Sequence, residues 1–307
     1  MKQDIFFHSE GERIAGHLYV PTTDKVKHCP AVVVVTPWGG VKEQTAGIYA
    51  QKLAKEGFVT LAFDHRSYGA SEGVPRWNED PLKKVEDIKN AVTFMASLDE
   101  VNQNAISALG ICSGAAYVAY AAATDQKRIQ TIATVSGYFH DLFKRKYLID
   151  AIQKDAVNAL MQQSRQAKIN YLRTGIPEYV PHIPDIDENT LDIVKDFYSY
   201  YRTERGKSAN YVCKTLLSSF EQLGAFSAIA GLQAFAPKPC LFIVGQRADS
   251  AYESEDAYHA MQEGQKEVFV IDKANHTDLY DKEPYVNQAV SKLVDFYKTH
   301  ALDAVHR

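Results

Sequence analysis

The chain has 307 residues, of which 46% are hydrophobic and 23% are charged. This composition is that of an ordinary globular protein, and the length fits one α/β domain with a sizeable insertion. A net charge of -4 and a pI of about 6.2 argue against a nucleic-acid surface or an electrostatic membrane anchor. We therefore expect a small-molecule partner, no nucleic acid and no membrane; the sequence is also compatible with a homodimer.

The first residues of the chain and its cysteines indicate the cellular compartment. Residues 1–8 lack the apolar core of a signal peptide, and the longest apolar run is far too short to cross a bilayer. Four cysteines are present, with neither CxxC spacing nor a dense disulfide framework: Cys29, Cys112, Cys213 and Cys240. We therefore expect a cytoplasmic protein with reduced thiols.

The first half of the chain alternates between strand and helix patterns. Residues 4–8 and 13–20 have strand patterns, and the run of Val over 31–35 predicts a strand that is covered on both faces. Further predicted elements follow in chain order: helix 45–56, strand 58–64, helix 81–98, strand 106–110, helix 113–124 and strand 129–136. This alternation predicts an α/β fold with a mostly parallel, doubly wound sheet.

The alternation stops near Tyr138. From there the sequence is helix-like and rich in Tyr, Lys and Gln, which predicts an inserted helical cap over 139–232. Residues 1–138 and 233–307 would form the core, where strands resume at 240–244 and 267–271 before a last helix at 284–300. Several cap tyrosines offer amphipathic rings that would close a pocket: Tyr171, Tyr179, Tyr198, Tyr200 and Tyr201.

A candidate nucleophile lies between the strand 106–110 and the helix that follows it. Gly110-Ile111-Cys112-Ser113-Gly114 has the Gly-x-nucleophile-x-Gly pattern with cysteine at its centre. A sharp strand-to-helix turn forces the central residue into a strained backbone conformation and presents its side chain above the sheet. The helix N-terminus beneath the thiol favours the thiolate. The pattern therefore predicts that Cys112 is the nucleophile.

The base and the acid follow the nucleophile in chain order, each in a loop after a late strand. His276 comes directly after the strand 267–271, so we predict that it is the general base. Asp249 follows the strand that ends at Val244 and is the favoured acid. Asp256 stays as the alternative, because it could point inward from the first turn of the next helix.

Two backbone N–H groups should face the carbonyl oxygen as it gains negative charge. Ser113, the residue after the nucleophile, would supply one of them. The loop after the first buried strand, Pro37-Trp38-Gly39-Gly40, would supply the other. Pro37 has no N–H, which leaves Trp38 or Gly39 as the donor.

With these parts placed, the chain resembles the α/β-hydrolase superfamily over 13–138 and 239–300. The cysteine at the centre of the elbow is similar to that of dienelactone hydrolases, and this resemblance implies a Cys-His-Asp triad. The long cap and the stretch from Trp38 to Gln44 look more like a group of capped bacterial and fungal hydrolases.

Together these features predict an enzyme that hydrolyses an ester, lactone or thioester through an acyl-cysteine intermediate. Two alternatives stay open: acyl transfer by the same cysteine from a site that excludes water, and non-catalytic ligand binding under the cap. The sequence has no metal-ligand cluster, Gly-rich phosphate loop or dinucleotide fingerprint, so we expect no metal and no cofactor.

Overall fold

An eight-stranded sheet is the scaffold of the molecule, as seen in a computed structural model that describes residues 1–22, 27–139 and 151–301. For 151–154 and 301 only the backbone is described. The strands are β1 (Lys2–Ser9), β2 (Glu12–Tyr19), β3 (Cys29–Val35), β4 (Val59–Phe63), β5 (Val101–Ile111), β6 (Ile129–Val135), β7 (Tyr179–Val180), β8 (Thr215–Leu216), β9 (Cys240–Gly245) and β10 (Lys266–Ile271).

Helices connect most of these strands. They are α1 (Thr45–Lys55), α2 (Pro81–Ala96), α3 (Gly114–Thr124), α4 (Ala151–Thr174), α5 (Asp192–Tyr201), α6 (Phe220–Ala225), α7 (Ile229–Phe235), α8 (Ala251–Ala260), α9 (Asp278–Asp281) and α10 (Glu283–Ala301). Short 3-10 turns cover Glu204–Gly206 and Leu217–Ser219. In the part of the chain that the structure describes, no helix is both long and apolar enough to span a bilayer.

The sheet has the strand order β1-β2-β4-β3-β5-β6-β9-β10. Its six strands from β4 to β10 run parallel, whereas β2 is antiparallel to both β1 and β4. The predicted mostly parallel, doubly wound sheet is therefore confirmed. Since the carboxyl ends of parallel strands share one edge, the loops after β3, β5, β6, β9 and β10 meet there.

Two apolar layers cover the sheet because successive side chains of a strand point to opposite faces. Val33 and Val35 of β3 pack with α2 and α3, while Val32 and Val34 pack with α1 and α10. All four are fully buried. Burial of each such side chain stabilises the fold by roughly 1.5–3 kcal/mol.

The predicted strand over 106–110 is longer than expected, because β5 begins at Val101. The extra residues include Asn102, Gln103 and Asn104, whose polarity conceals a strand in the sequence. Val101 nonetheless pairs with Cys29 of β3, and a register shift separates this pair from the regular pairing that starts at Ala31 and Ile106.

A long segment lies between β6 and β9, and we refer to its described residues 151–235 as the insert. It contains α4 to α7 and a two-stranded antiparallel pair of β7 and β8, which the sequence pattern did not predict. The cap predicted over 139–232 also includes 140–150, which lie outside the described residues.

Candidate active site

The elbow after β5 places Cys112 at the carboxyl edge of the sheet. Cys112 has a positive φ of 54°, and its thiol is buried, with the residue 6% exposed. A Cβ on Gly114 would lie 2.7 Å from the carbonyl oxygen of Thr36, so only glycine lets α3 approach the end of β3 this closely. The left-handed conformation costs a non-glycine residue on the order of 1–3 kcal/mol, which the surrounding packing must offset.

The predicted oxyanion donors also lie at this edge. Within the described ranges, no hydrogen bond uses the backbone N–H of Ser113, Trp38 or Gly39. The Trp38 indole N–H is likewise buried without an acceptor among the described residues. Ser113 begins the first turn of α3, where free N–H groups and the helix dipole together favour negative charge.

His276 lies in the loop after β10 and is fully buried. The Ser250 hydroxyl is 2.6 Å from its Nδ1, and the Tyr280 hydroxyl is 3.0 Å from its Nε2. Ser136, which follows β6, donates a hydrogen bond to the His276 carbonyl oxygen at 3.0 Å. The two ring nitrogens and the backbone are thus held from three sides, which fixes the orientation of the imidazole.

The structure does not bring Asp249 to the histidine, and the predicted contact is corrected. Asp249 is exposed, and the neighbouring Ser250 occupies the position beside Nδ1. The cause is local: the N–H of Ala251 bonds the Ala248 carbonyl, so the loop is already turning as a helix. Successive helical side chains differ by about 100° in direction, which sends Asp249 outward and Ser250 inward.

Asp256 lies half-buried in the second turn of α8, whereas the sequence placed it in the first turn. The fully buried acid of this helix is Glu253, whose carboxylate accepts the backbone N–H of Phe139 at 2.9 Å. Tyr138, the residue before it, donates its N–H to the carbonyl oxygen of Cys112 at 3.1 Å. Glu253 therefore holds in place the segment after β6, which packs behind the elbow.

Tyr280 contacts the imidazole and lies near the thiol. Its hydroxyl is 3.0 Å from Nε2 of His276, and it interacts electrostatically with the Cys112 side chain. Tyr201 of α5 packs edge to face against the Tyr280 ring, with a centroid distance of 6.2 Å. Burial raises the pKa of Tyr280 well above its usual value, and the nearby Cys112 charge adds to this effect. The phenol therefore stays protonated at neutral pH.

Aromatic side chains of the insert cover this cluster. The ring of Phe197 lies 5.0 Å from that of His276, and Tyr200 lies 5.0 Å from Tyr280. Of the tyrosines singled out in the sequence, Tyr200 and Tyr201 reach the site. Tyr179 instead packs against Trp77 with a centroid distance of 5.3 Å.

Polar contacts tie the insert to the histidine loop. The Asp196 carboxylate accepts the N–H of Thr277 at 3.1 Å and its hydroxyl at 2.6 Å. Arg205 binds the Asp281 carboxylate through two nitrogens, at 2.6 and 3.1 Å. These contacts flank His276 and Tyr280 on both sides, so the insert holds the loop that carries them.

The insert also reaches the oxyanion loop through His182. A Cβ on Gly39 would lie 2.8 Å from the His182 ring, and Gly39 itself has a φ of 66°. The His182 ring also packs 5.4 Å from that of Trp38, and the Tyr211 hydroxyl is 3.0 Å from its Nδ1. Burial lowers the pKa of His182 to about 3, so this ring is neutral at physiological pH.

Sequence reasoning missed Ser250 and Tyr280. Tyr280 follows His276 by four residues, a spacing that places two side chains on one helical face, but α9 is too short to show a periodic pattern. Ser250 is next to Asp249 in the chain. Residue type alone favoured the aspartate carboxylate over the serine hydroxyl as the partner of the histidine.

Comparisons with known proteins extend these observations. A family model for the X-Pro dipeptidyl-peptidase (S15 family) matches residues 10–168. The Escherichia coli K12 protein named "Uncharacterized protein YcjY" is 32% identical, over 91% of this chain and 92% of its own. Thiohydrolase aneE of Aspergillus aculeatus is 25% identical, over 89% and 86%. Polyketide transferase claH of Penicillium crustosum is 25% identical, over 90% of each chain.

Solved structures share the arrangement of the sheet. The crystal structure of the α/β hydrolase GrgF from Penicillium sp. sh18 superposes with a TM-score of 0.81 at 19% identity, over 98% of this chain and 99% of GrgF. Likeness at this level of identity establishes the fold. The α/β-hydrolase fold expected from the sequence motifs is confirmed.

Proposed function

Because this chain belongs to the X-Pro dipeptidyl-peptidase (S15) family and has the α/β-hydrolase fold, we propose that it cleaves an acyl ester, lactone or thioester through an acyl-cysteine intermediate. One observation carries the proposal: Cys112 and His276 are both buried at the carboxyl edge of the sheet, and both interact with Tyr280. A nucleophile and a base linked in this way are the parts that covalent acyl chemistry requires.

In the first half-reaction, the Cys112 thiolate attacks the carbonyl carbon and forms a C–S bond. The electron pair of the C=O bond moves to oxygen, where the N–H groups of Ser113 and of Trp38 or Gly39 would stabilise the oxyanion. When the C=O bond re-forms, the leaving group departs and takes a proton from the imidazolium of His276. The product of this step is an S-acyl cysteine.

In the second half-reaction, His276 takes a proton from water as the water oxygen attacks the acyl carbon. The second tetrahedral intermediate collapses, the C–S bond breaks, and the free acid and the thiolate are restored. The tautomer that this role requires has the proton on Nδ1, where it can be donated to the Ser250 hydroxyl, and leaves Nε2 as the base.

Thioesters suit this site better than peptides. Attack of a thiolate on a thioester exchanges one thiolate for another, so the leaving group needs little protonation. An amine leaving group must be protonated as it departs, which demands a strong general acid. The name of the relative aneE, a thiohydrolase, agrees with this preference.

Acyl transfer is the second candidate, and burial of the site favours it. His276 is fully buried under Phe197, and Tyr201 of the same helix is buried against Tyr280. A covered site keeps water from the acyl-cysteine long enough for another nucleophile to take the acyl group. The relative claH, named a polyketide transferase, is consistent with this outcome.

The decisive experiment is mass spectrometry of the protein after reaction with a panel of acyl thioesters, p-nitrophenyl esters, lactones and an X-Pro dipeptide anilide. We expect an acyl adduct on the Cys112 peptide, and we expect Cys112→Ala to abolish both the adduct and turnover. Addition of an alcohol or amine acceptor then separates the two candidates, since a transferase diverts the product from acid to ester or amide.

Cys213 is the matched control for thiol chemistry. Burial raises its pKa, but the Ile183 N–H and then the Arg202 guanidinium outweigh this effect and lower it below the usual value. Cys213→Ser should therefore remove a competing label and leave turnover unchanged. An adduct confined to Cys213, or full turnover by Cys112→Ala, would contradict the proposal and favour ligand binding or another nucleophile.

A further inference from the structure

We propose that the Tyr280 hydroxyl is a catalytic group that relays the proton between the Cys112 thiol and the His276 imidazole. This inference rests on the proposed function, in which Cys112 is the nucleophile and His276 the base. It adds a third proton-carrying residue to a pair that the sequence motifs predict.

The geometry gives the hydroxyl access to both ends of the path. Tyr280 Oη is 3.0 Å from His276 Nε2, and it interacts electrostatically with the Cys112 side chain. Cys112, His276 and Tyr280 are all buried, so these contacts are shielded from bulk water.

A phenol has one proton and two lone pairs, which suits it to a relay. In the resting state, the thiol donates to the Tyr280 oxygen and the Tyr280 proton points to Nε2. For activation, the S–H bond breaks as a new O–H bond forms, and the original O–H bond breaks as an N–H bond forms. The result is a thiolate, an intact phenol and an imidazolium, so charge and protons balance.

The phenol then donates to the sulfur that it has just deprotonated. A hydrogen bond to an ionised acceptor is about twice as strong as one between neutral groups, so this contact stabilises the thiolate. The same path runs backwards when the thiolate leaves the second intermediate. Because Tyr280 is neutral before and after each transfer, its high pKa is no obstacle.

Tyr280 is held in place before any substrate binds. The N–H of Tyr280 bonds the Thr277 carbonyl at 3.1 Å, and the Tyr49 hydroxyl donates to the carbonyl of the preceding residue, Leu279, at 2.7 Å. The Tyr280 ring packs edge to face against Tyr200 at 5.0 Å. Such fixed hydrogen-bond donors avoid reorganisation during the reaction.

The test is the pH dependence of alkylation by iodoacetamide, which reacts only with the thiolate. The variant Tyr280→Phe is measured in a Cys213→Ser background, with labelling assigned by peptide mapping. The matched control is Tyr297→Phe, which also removes a buried phenol hydrogen bond, but one to the Ala108 carbonyl at 3.1 Å rather than one near the thiol. We expect Tyr280→Phe to slow Cys112 alkylation near pH 7 by at least ~10-fold. At high pH, where the thiol is ionised in both proteins, the variant should react as fast as the protein that retains Tyr280.

Equal alkylation profiles for Tyr280→Phe and Tyr297→Phe would overturn the relay. If Cys112→Ala were still inactive in that case, the proposed function would stand without it; if Cys112→Ala kept full turnover, the proposed function would fail independently. Should Tyr280→Phe not fold, the wild-type acylation rate with p-nitrophenyl acetate is measured in mixtures of H2O and D2O. Two moving protons give a curved dependence on deuterium fraction, and a straight line would refute the relay.

Discussion

Acidification should destabilise the protein through His182. This residue is 8% exposed, and its ring packs on Gly39 and Trp38 of the oxyanion loop. Burial, with a smaller effect of Lys84, lowers its pKa from 6.5 to about 3. Because the unfolded chain takes up a proton more readily than the folded one, protonation of this residue favours unfolding.

The direction and the size of this pH effect on stability follow from the unfolded and folded pKa values of His182. The stability contributed by neutral His182 is fully present above the unfolded pKa of 6.5 and is lost as the pH falls toward the folded value of about 3. Each pH unit inside this window costs about 1.4 kcal/mol. Between pH 7 and pH 4, the free energy of unfolding should therefore fall by roughly 3 kcal/mol because of this residue alone.

Urea unfolding of the wild type and of His182→Gln at both pH values isolates this contribution, since other titrating groups cancel in the difference. The wild type should lose roughly 3 kcal/mol more than the variant on acidification. His259→Gln is the control, because His259 is exposed on α8 and solvent surrounds it in both states. Parallel losses in the wild type and in His182→Gln would refute the reasoning.

Three further predictions concern other parts of the site. Gly114→Ala should lower the free energy of unfolding by about 1–3 kcal/mol, because the new methyl group meets a backbone oxygen at 2.7 Å; thermal melts measure it. Ser250→Ala should reduce turnover about tenfold by removing the contact with Nδ1, whereas Asp249→Asn should change it little; equal losses would restore the acid role to the aspartate. Arg205→Ala should cost about 1 kcal/mol of stability and lower turnover, because the contact with Asp281 holds the histidine loop; a change in stability alone would contradict the second part.

Local chemistry made much of the fold predictable. The Val run of β3 has no polar alternation and could only be a strand covered on both faces, and the structure buries it on both. The start of β5 could not be predicted in the same way. Asn102, Gln103 and Asn104 form a polar stretch whose strand conformation depends on pairing with a distant segment at Cys29.

The same limit applies to the site. Chain order and strand ends predicted Cys112 and His276 as nucleophile and base, and the structure places both residues at the carboxyl edge of the sheet. The choice between Asp249 and Ser250 depends on the rotation of a single turn, which composition does not encode. Tyr280 acquires its contacts only when the short helix α9 packs against the elbow, so no local pattern could reveal it.

The helix α5 has a consequence for how such an enzyme changes during evolution. Within three turns it supplies Asp196, which binds Thr277; Phe197, which packs on His276; and Tyr201, which packs on Tyr280. The helix that would shape the proposed acyl pocket thus also supports His276, the proposed base. Substitutions in α5 that admit a new substrate will tend to disturb proton transfer as well. Changes in substrate range should therefore arise more readily from substitutions in other parts of the site.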